Sequence, residues 1–385
     1  MTASYFDLGG TLRAQTPEQT LDWLQTKLDT MGITRVANIT GLDNIGIFVS
    51  TCIRPNSKHL SVSQGKGINA NLAQISAMME AVEGFHIEQR KPPALRGSYL
   101  HLHPDHAVIH PNRFIATDFQ PDLSDYPLDW IAVANLFDKQ NYYLPQILFC
   151  LDTTLPQPEF NFFNVSSNGI AAGNTLVEAQ CHALYELIER DSLARWQQLS
   201  DAQLAATKVN LNSISDEHIC HLLEQFQQAK IQVELWEITS QIGVPAFQAA
   251  IHENNALRRL NLFTGSGAHL CKNIAALRAL TEAAQSRLTL ISGNRDDIFP
   301  SYYQTLQIES KTSSVVSLEA GQRDFQNCTS FSLPENFTAQ LQLILSLLKQ
   351  QEIEAVFMLD HSLAEINIPV VQLIIPELLF NGERN

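Results

Sequence analysis

Positive charge is scarce in this sequence. Its 385 residues include 25 Lys and Arg against 40 Asp and Glu, which gives a formal net charge of −15. Proteins that bind nucleic acid or anionic membranes broadly present a basic face, so this balance excludes both classes of partner. A small anionic ligand, held by a few basic side chains or by a metal ion, remains compatible with it.

Paired cysteines and long apolar runs are also missing. The six cysteines lie at positions 52, 150, 181, 220, 271 and 328, so there is no C-x-x-C pair for a zinc ribbon or a dithiol redox site. Asp7 interrupts the segment where a signal peptide needs apolar residues, and the apolar stretch from Val370 to Phe380 is too short to span a bilayer. We therefore expect a reduced, cytoplasmic protein without a membrane span.

Helix and strand patterns alternate along the chain. Thr16 with Gln19, and Thr175 with Glu178, predict capping boxes at the starts of two helices. Helices are predicted over 17–31, 70–89, 176–198, 273–292 and 336–350, and strands over 33–39, 45–52, 130–137, 145–152, 232–239, 245–252, 259–265, 353–359 and 368–375. This interspersion favours a mixed α/β fold. Because no low-complexity linker divides residues 1–385, we expect one compact unit, with the motifs described next in about 10–300 and a C-terminal helix and strands in 301–385.

A short acidic pattern occurs three times, each time on a predicted helix. It reads Ala77-x-x-Glu80-x-x-Glu83, Ala183-x-x-Glu186-x-x-Glu189 and Ala279-x-x-Glu282-x-x-Gln285. Residues three apart share a helix face, so each pair projects its oxygens together, and the alanine leaves space one turn earlier. Solvated helix faces commonly carry Glu, but these helices are apolar on nearly every side. We therefore expect the carboxylates to point into the protein.

The acidic pairs and their basic neighbours together indicate a ligand. Buried carboxylates are costly unless they are paired or bound to metal, and Mg²⁺ commonly bridges protein carboxylates to substrate phosphates. Lys66 lies between two glycines before the first pair, while Arg190, Arg287 and Arg295 follow the later ones. No G-x-x-x-x-G-K-[ST] sequence is present, which excludes a P-loop. The residues alone thus indicate a magnesium and phosphate site of another type.

Longer segments around the acidic pattern resemble the motifs of the YcaO family. The matching residues are Ser61, Gly65-Lys66-Gly67, Ser76 and Glu80 to Glu83 in the first segment, Ser167 to Thr175, Glu178 and Glu186 to Asp191 in the second, and Gly265, Arg278, Glu282, Gln285, Arg287 and Gly293 to Asp297 in the third. The amino-terminal residues Gly10 to Arg13, Thr20, Gly32 to Val36, Thr40 to Asp43 and Arg54 to Asn56 resemble the TfuA-associated branch. Two departures are Phe48, where that branch usually has proline, and Gly84, where an arginine commonly follows the second glutamate.

This resemblance implies a YcaO-type fold, with mixed sheets and the long acidic-motif helices around an interior site for ATP and Mg²⁺. It also implies ATP-dependent activation of a peptide backbone amide, whose oxygen takes the γ-phosphate before a nucleophile displaces phosphate. Carried over by motif, Mg²⁺ would be held by Glu80, Glu83, Glu186 and Glu189. The nucleotide would be contacted by Arg13, Thr20, Lys66, Ser76, Asn174, Glu178, Arg190, Gln285 and Arg287. No general base is assigned.

Two products are compatible with this chemistry. A side chain of the peptide as nucleophile would give an azoline ring, and sulfide from a partner would give a thioamide. Azoline-forming members often end in a Pro-x-Pro-x-Pro tail, whereas the last ten residues here contain only Pro376. We expect residues 381–385 to fray, so deletion of Gly382 to Asn385 should leave activity nearly unchanged, and thioamide formation is favoured over the azoline alternative.

Other functions and the partners follow from the same features. A nucleotide-binding scaffold or regulatory subunit without turnover is an alternative, but retention of every matched acidic position favours an enzyme, and an ATP-grasp-like ligase has little support. Only about 60 residues precede the ATP motifs. We therefore expect weak peptide binding by the isolated chain and dependence on a second protein, a TfuA-like partner or sulfur donor. The resemblance also implies a homodimer.

Two further groups of reactive side chains are given structural interpretations. The four histidines His101, His103, His106 and His110 could suggest zinc, but Pro104 breaks any helical register among them. Cys181 and His182 are adjacent on a predicted helix, so their side chains point about 100° apart and do not form a nucleophile pair.

Overall fold

The computed structural model describes residues 4–115, 121–154, 162–163, 165–253, 262–295, 297 and 321–380. Its helices are α1 (Pro17–Gln25), α2 (Ala70–Ile87), α3 (Tyr99–Leu102), α4 (Leu176–Trp196), α5 (Asp201–Ala206), α6 (Glu217–Gln228), α7 (Lys272–Ser292) and α8 (Phe337–Gln350). Its strands are β1 (Phe6–Asp7), β2 (Leu12–Arg13), β3 (Arg35–Asn38), β4 (Phe48–Ile53), β5 (Val62–Gly67), β6 (Leu95–Gly97), β7 (Leu128–Asn135), β8 (Asn141–Pro145), β9 (Ile170–Ala172), β10 (Val209–Asn210), β11 (Ile231–Glu237), β12 (Ala246–Glu253), β13 (Leu262–Ala268), β14 (Arg323–Asp324), β15 (Phe357–Asp360) and β16 (Val370–Ile374). The predicted α/β class is confirmed.

Three antiparallel sheets carry the helices. One contains β3, β4 and β5, a second contains β11, β12 and β13, and a six-stranded sheet has the order β6-β7-β15-β16-β9 with β8 on β7. Every pairing within these sheets is antiparallel, and the short β10–β14 pair is parallel. A parallel bridge also joins Val108 to Tyr143 of β8, so the described residues contain both strand directions, as the resemblance implied.

Each long helix covers one of these sheets. Helix α2 packs on β4 and β5, α7 packs on β12 and β13, and α4 lies between β9 and β16 on one side and α8 on the other. The core around α4 includes fully buried Leu184, Ile344, Leu348 and Val371. Burying a side chain of this size contributes about 1.5–3 kcal/mol, which is why an apolar helix such as α4 is held between two layers.

The predicted elements are confirmed where the patterns are long. Helices α2 and α7 match their predictions within two residues, but α1 ends at Gln25 rather than near Met31. The strand predicted over 145–152 is wrong, because the strand is Asn141–Pro145 and a 3₁₀ turn, Gln146–Phe149, follows it. Proline has no N–H to continue a strand ladder, and the buried apolar residues after it pack as a turn. Residues 381–385, where fraying is expected, and 301–320 lie outside the described residues.

The two predicted capping boxes have different outcomes. At α1, Thr16 and Gln19 form both reciprocal hydrogen bonds, as predicted. At α4, Thr175 Oγ1 accepts from the backbone N–H of Glu178 at 3.2 Å, but the Glu178 carboxylate accepts from Ala14 N at 3.0 Å instead of returning to Thr175. The second box is therefore only half formed, since its carboxylate is engaged elsewhere.

None of the helices in the described residues combines the length and apolarity that crossing a bilayer requires.

Candidate active site

Three strand–helix units bring the acidic pattern together. Unit 1 is β5 with α2, unit 2 is β9 with α4, and unit 3 is β13 with α7. In units 1 and 3 the strand runs against the helix at a glycine: a Cβ added to Gly65 would lie 1.9 Å from Ala77 N, and one added to Gly267 would lie 2.8 Å from Ala279 N. The sequence predicted space beside these alanines without indicating what fills it. The structure shows that the strand backbone does.

The first carboxylate of each acidic pattern is fixed by its own strand. Glu80 Oε2 accepts from Gln64 N at 3.3 Å, Glu186 Oε2 from Gly169 N at 3.2 Å, and Glu282 Oε1 from Ser266 N at 3.3 Å. A backbone N–H is a strong donor that is always present, so each unit presents one carboxylate in the same way.

The second residue of each pattern reaches the next unit. The contacts are Glu83 Oε1 from Ala172 N at 2.7 Å, Glu189 Oε1 from Ser266 Oγ at 2.6 Å, and Gln285 Nε2 to Gln64 O at 3.1 Å. Unit 1 therefore contacts unit 2, unit 2 contacts unit 3, and unit 3 returns to unit 1. We call Glu80, Glu83, Glu186, Glu189 and Glu282 the carboxylate ring.

The ring lines a cleft that is open to solvent. Glu80 is exposed and Glu83, Glu186 and Glu282 are half-buried, while Glu189 is only 5% exposed. The sequence predicted that these side chains point into the protein, and Glu80 departs from that prediction because it is exposed. Protein atoms surround the groups on several sides while water still reaches them, which is the arrangement of a cleft.

Crowding changes the acidity of the ring. Neighbouring protein atoms displace water from around the carboxylates, also around that of the exposed Glu80, and this desolvation raises the pKa of Glu80 and of Glu186 from 4.5 to about 7 each. Burial, with repulsion from Glu186 and Glu80, raises the pKa of Glu83 well above its usual value. Burial and the neighbouring Glu282 also raise the pKa of Glu189. Because the carboxylates affect one another, they lie within electrostatic reach and form one acidic site.

Glu282 is the ring member with a close counter-ion. Lys66 Nζ on β5 lies 2.5 Å from its Oε2. Burial acts to raise the pKa of Glu282, but Lys66 and Arg190 outweigh it, so the pKa is lowered. Arg190 is itself 45% exposed, with Nη2 at 3.9 Å from Glu186 Oε1. The predicted residues Lys66 and Arg190 are thus both at the cleft.

The ring suits a cation for which the protein supplies only some of the ligands. In the described portion of the chain, no three His, Cys, Asp or Glu side chains are grouped so that they could hold a metal ion. Mg²⁺ usually keeps several waters and binds one or two carboxylates together with substrate phosphates. Oxygen donors, raised pKa values and spacing by backbone hydrogen bonds therefore suit a magnesium ion that is completed by a phosphate ligand.

A second network joins four of the predicted nucleotide contacts. Thr20 Oγ1 donates to Asn174 Oδ1 at 2.9 Å, and Asn174 Nδ2 donates to the Glu178 carboxylate at 3.3 Å. Arg13 Nε lies 3.8 Å from that carboxylate. Burial raises the pKa of Glu178 and lowers that of Arg13. The structure thus brings Arg13, Thr20, Asn174 and Glu178 together at the N-terminal end of α4.

Two cleft residues were not assigned roles from the sequence. Arg278 Nη1 and His182 Nε2 lie 2.9 Å apart, one turn before Glu282 and Glu186 respectively. Ser76 occupies the same position relative to Glu80 on α2 and is half-buried. This common spacing of four residues is the sequence signal that could have identified the pair.

Arg287 forms two ion pairs beside α7. It is 5% exposed, its Nε lies 2.9 Å from Asp43 Oδ2, and its Nη2 lies 2.5 Å from Glu253 Oε1. Two residues after Gln285, it points about 200° around α7, away from the face that carries the ring. Its predicted nucleotide contact stays a prediction.

The other reactive side chains behave as ordinary structural residues. His101, His103 and His106 are exposed, and His110 Nε2 bonds to Ser124 Oγ at 3.0 Å. Cys181 is buried, its Sγ donates to Phe337 O at 3.5 Å, and burial raises its pKa. It is therefore not an activated nucleophile.

Comparisons with known proteins agree with this site. A family model described as "YcaO cyclodehydratase, ATP-ad Mg2+-binding" matches residues 64–379. The chain is 36% identical, over 314 residues, to an "uncharacterized protein in tfuA 3'region" of Rhizobium leguminosarum bv. trifolii, covering 80% of this chain and 74% of that protein. It is 32% identical, over 384 residues, to an "uncharacterized protein" of Methanothermobacter thermautotrophicus, covering 95% and 94%.

Solved structures share the fold. A "heterocyclase in complex with substrate and cofactor" gives a TM-score of 0.82 at 23% identity, covering 99% of this chain, which spans 54% of that protein. The YcaO protein of Methanopyrus kandleri "bound with AMPPCP and Mg2+" gives 0.76 at 20% identity, covering 98% and 94%. The predicted YcaO-type fold is therefore confirmed.

The family match also bears on the cofactors and the branch. ATP and Mg²⁺, the cofactors predicted from the motifs, are those that the family description names. The predicted TfuA-associated branch agrees with the similarity to the protein of the tfuA 3' region. Since the matched residues make up most of the sequence, the chain belongs to the YcaO family.

Proposed function

We propose that this protein is an ATP-dependent enzyme that activates a backbone amide of a peptide or protein substrate, and that its product is a thioamide. The observation that carries the proposal is the carboxylate ring, which three helices build around one open cleft and whose members repel one another. Such a ring is unfavourable for stability, so its retention supports a role in binding cations and phosphates.

The residues of the cleft divide into two roles. Mg²⁺ would be held by Glu80, Glu83, Glu186 and Glu189, since this ion commonly binds one or two carboxylates together with substrate phosphates. The nucleotide is contacted by Arg13, Thr20, Lys66, Ser76, Asn174, Glu178 and Arg190, and Gln285 fixes β5 through Gln64 O. When bound, ATP with Mg²⁺ supplies the phosphoryl group that turns the amide oxygen into a leaving group. The chain contributes positioning and charge compensation, which dominate catalysis of phosphoryl transfer.

The similarity to a protein of the tfuA 3' region supports thioamide formation over cyclisation, since it suggests a separate partner that could deliver sulfur.

The test is a reconstitution followed by mass spectrometry of the peptide. Purified protein is incubated with ATP, Mg²⁺, a sulfide source, a TfuA-like protein encoded nearby and candidate peptides. We expect ATP consumption and a mass gain equal to the replacement of oxygen by sulfur. Loss of one water would instead identify the azoline alternative, which the likeness to a heterocyclase favours.

A matched pair of variants connects the product to the ring. Glu186→Gln should abolish product, and Glu224→Gln, an exposed change on α6, should leave it unchanged. Nucleotide binding without turnover in every combination would contradict the enzyme and support the scaffold alternative. We further propose a cytoplasmic homodimer that binds peptide weakly without its partner, which light scattering and peptide titration of the isolated chain would check.

A further inference from the structure

The contact between Arg278 and His182 joins two helices beside the carboxylate ring. Arg278 belongs to α7 and His182 to α4, and their Nη1 and Nε2 atoms lie 2.9 Å apart. Each side chain stands one helical turn before a ring member, Glu282 or Glu186, on the same helix face. The pair therefore lies against the ring on the side of the helix N-termini.

The donor chemistry of arginine fixes the state of the histidine. A guanidinium has five N–H donors and no acceptor, so Arg278 must donate. His182 Nε2 consequently carries a lone pair, and the single ring proton is on Nδ1. Burial and the charge of Arg278 lower the pKa of His182 well below its usual value, which agrees with a neutral imidazole.

The charge of Arg278 acts on both networks of the cleft. Burial is the main cause that lowers the pKa of Arg13, and Arg278 adds to it. Burial and Glu282 raise the pKa of Glu189, and Arg278 opposes them. Arg278 is thus within electrostatic reach of the proposed nucleotide contacts and of the proposed metal-binding carboxylates, so a nucleotide that contacts both would bring its phosphates within reach of this guanidinium.

We propose that His182 is a positioning residue, whose neutral imidazole holds the Arg278 guanidinium in place to bind a phosphate oxygen of the nucleotide. A carboxylate at this position would orient the guanidinium equally well, but it would neutralise the charge that attracts phosphate. An imidazole acceptor orients the guanidinium and leaves its charge available. The inference rests on the proposed function, since it assumes that the cleft binds ATP.

Three substitutions of His182 separate its roles. In His182→Gln the side-chain oxygen can still accept from Arg278, in His182→Leu no acceptor remains, and in His182→Glu the acceptor is charged. Binding of a non-hydrolysable ATP analogue with Mg²⁺ is measured by calorimetry. We expect binding within about twofold of the wild type for Gln, and about tenfold weaker binding for Leu and for Glu, as a charge-assisted contact implies. His101→Leu, at an exposed histidine, is the matched control.

The outcomes are distinguishable. Wild-type affinity in His182→Leu or His182→Glu, or equal weakening in the Gln and Leu variants, would overturn the inference. If His182→Leu does not fold by circular dichroism, the comparison of Gln with Glu decides, because both keep an acceptor and differ in charge. Failure of the wild-type protein itself to bind the analogue would instead sink the proposed function and the inference with it.

Discussion

Replacing Glu186 by Gln is expected to stabilise the metal-free fold at alkaline pH. The folded environment raises the pKa of Glu186 from 4.5 to about 7, chiefly by burial. Because the pKa is higher in the folded state, the native protein binds more protons than the unfolded chain between pH 4.5 and 7. The free energy of unfolding therefore falls as pH rises through this range. Gln cannot ionise, and its side-chain oxygen can still accept from Gly169 N, so the variant avoids this loss.

The magnitude follows from the two pKa values. The difference between about 7 and 4.5, at about 1.4 kcal/mol per pH unit, gives an upper limit of about 3.5 kcal/mol above pH 7. The Glu186 side chain is 27% exposed, and solvent screening reduces this figure. We therefore expect Glu186→Gln to be more stable than the wild type by about 1–3 kcal/mol at pH 8, and by less than about 1 kcal/mol at pH 5.

Urea unfolding with a chelator present, at pH 5 and pH 8, measures this difference. Glu224→Gln on α6 removes an exposed carboxylate and should change stability by less than about 0.5 kcal/mol at either pH. Equal stability of the two variants at pH 8, or the same gain for Glu186→Gln at both pH values, would refute the reasoning. With Mg²⁺ and ATP added, the order should reverse, because a ligand stabilises only the protein that binds it.

Three further predictions concern the strand–helix units, the nucleotide network and Arg287. Gly65→Ala places a Cβ 1.9 Å from the α2 backbone, so thermal unfolding should show a loss of at least about 3 kcal/mol, while Gly41→Ala, with open space around it, should be neutral. Asn174→Ala removes the link between Thr20 and Glu178, and calorimetry should find ATP-analogue binding about tenfold weaker. Arg287→Met leaves Asp43 without its ion-pair partner and should lower the free energy of unfolding in urea by about 3 kcal/mol. The folded variant should bind nucleotide as the wild type does. Weaker nucleotide binding without a loss of stability would instead indicate that Arg287 contacts the nucleotide.

The long helices could be predicted because their signals are local. An apolar stretch of many residues and a terminating glycine occur together at α7, whose C-cap is Gly293 with a φ of 57°. Which neighbour covers each face of such a helix is not a local property. Helix α2 is apolar on nearly every side, so the sequence did not indicate that one side would face β5 and another an open cleft. This is why Glu80 was expected inside and is exposed.

The proposed nucleotide and metal residues could be predicted where the signal is local to one helix. Spacing along a helix identifies side chains on one face, and it placed Glu282 with the other acidic residues. Adjacency in sequence is a weaker guide, as Arg287 illustrates, because helical geometry directs it away from Gln285. Two partners of Glu178, Arg13 and Ala14, lie more than 160 positions away, and no spacing rule relates such distant segments.

The closed order of contacts among the three units has a consequence for how the protein folds. The links from Glu83 to Ala172, Glu189 to Ser266 and Gln285 to Gln64 join residues separated by 89, 77 and 221 positions. Contacts of such long range form late, because the entropy of closing a large loop must be overcome before the contact can stabilise anything. During synthesis, β5 and α2 therefore emerge early. At that stage Gln285 has not been synthesised, so Gln64 O has no side chain from which to accept its hydrogen bond. A nascent or truncated chain that stops before α7 presents scattered acidic side chains, and the competent cleft arises in a single late step, once Gln285 has left the ribosome.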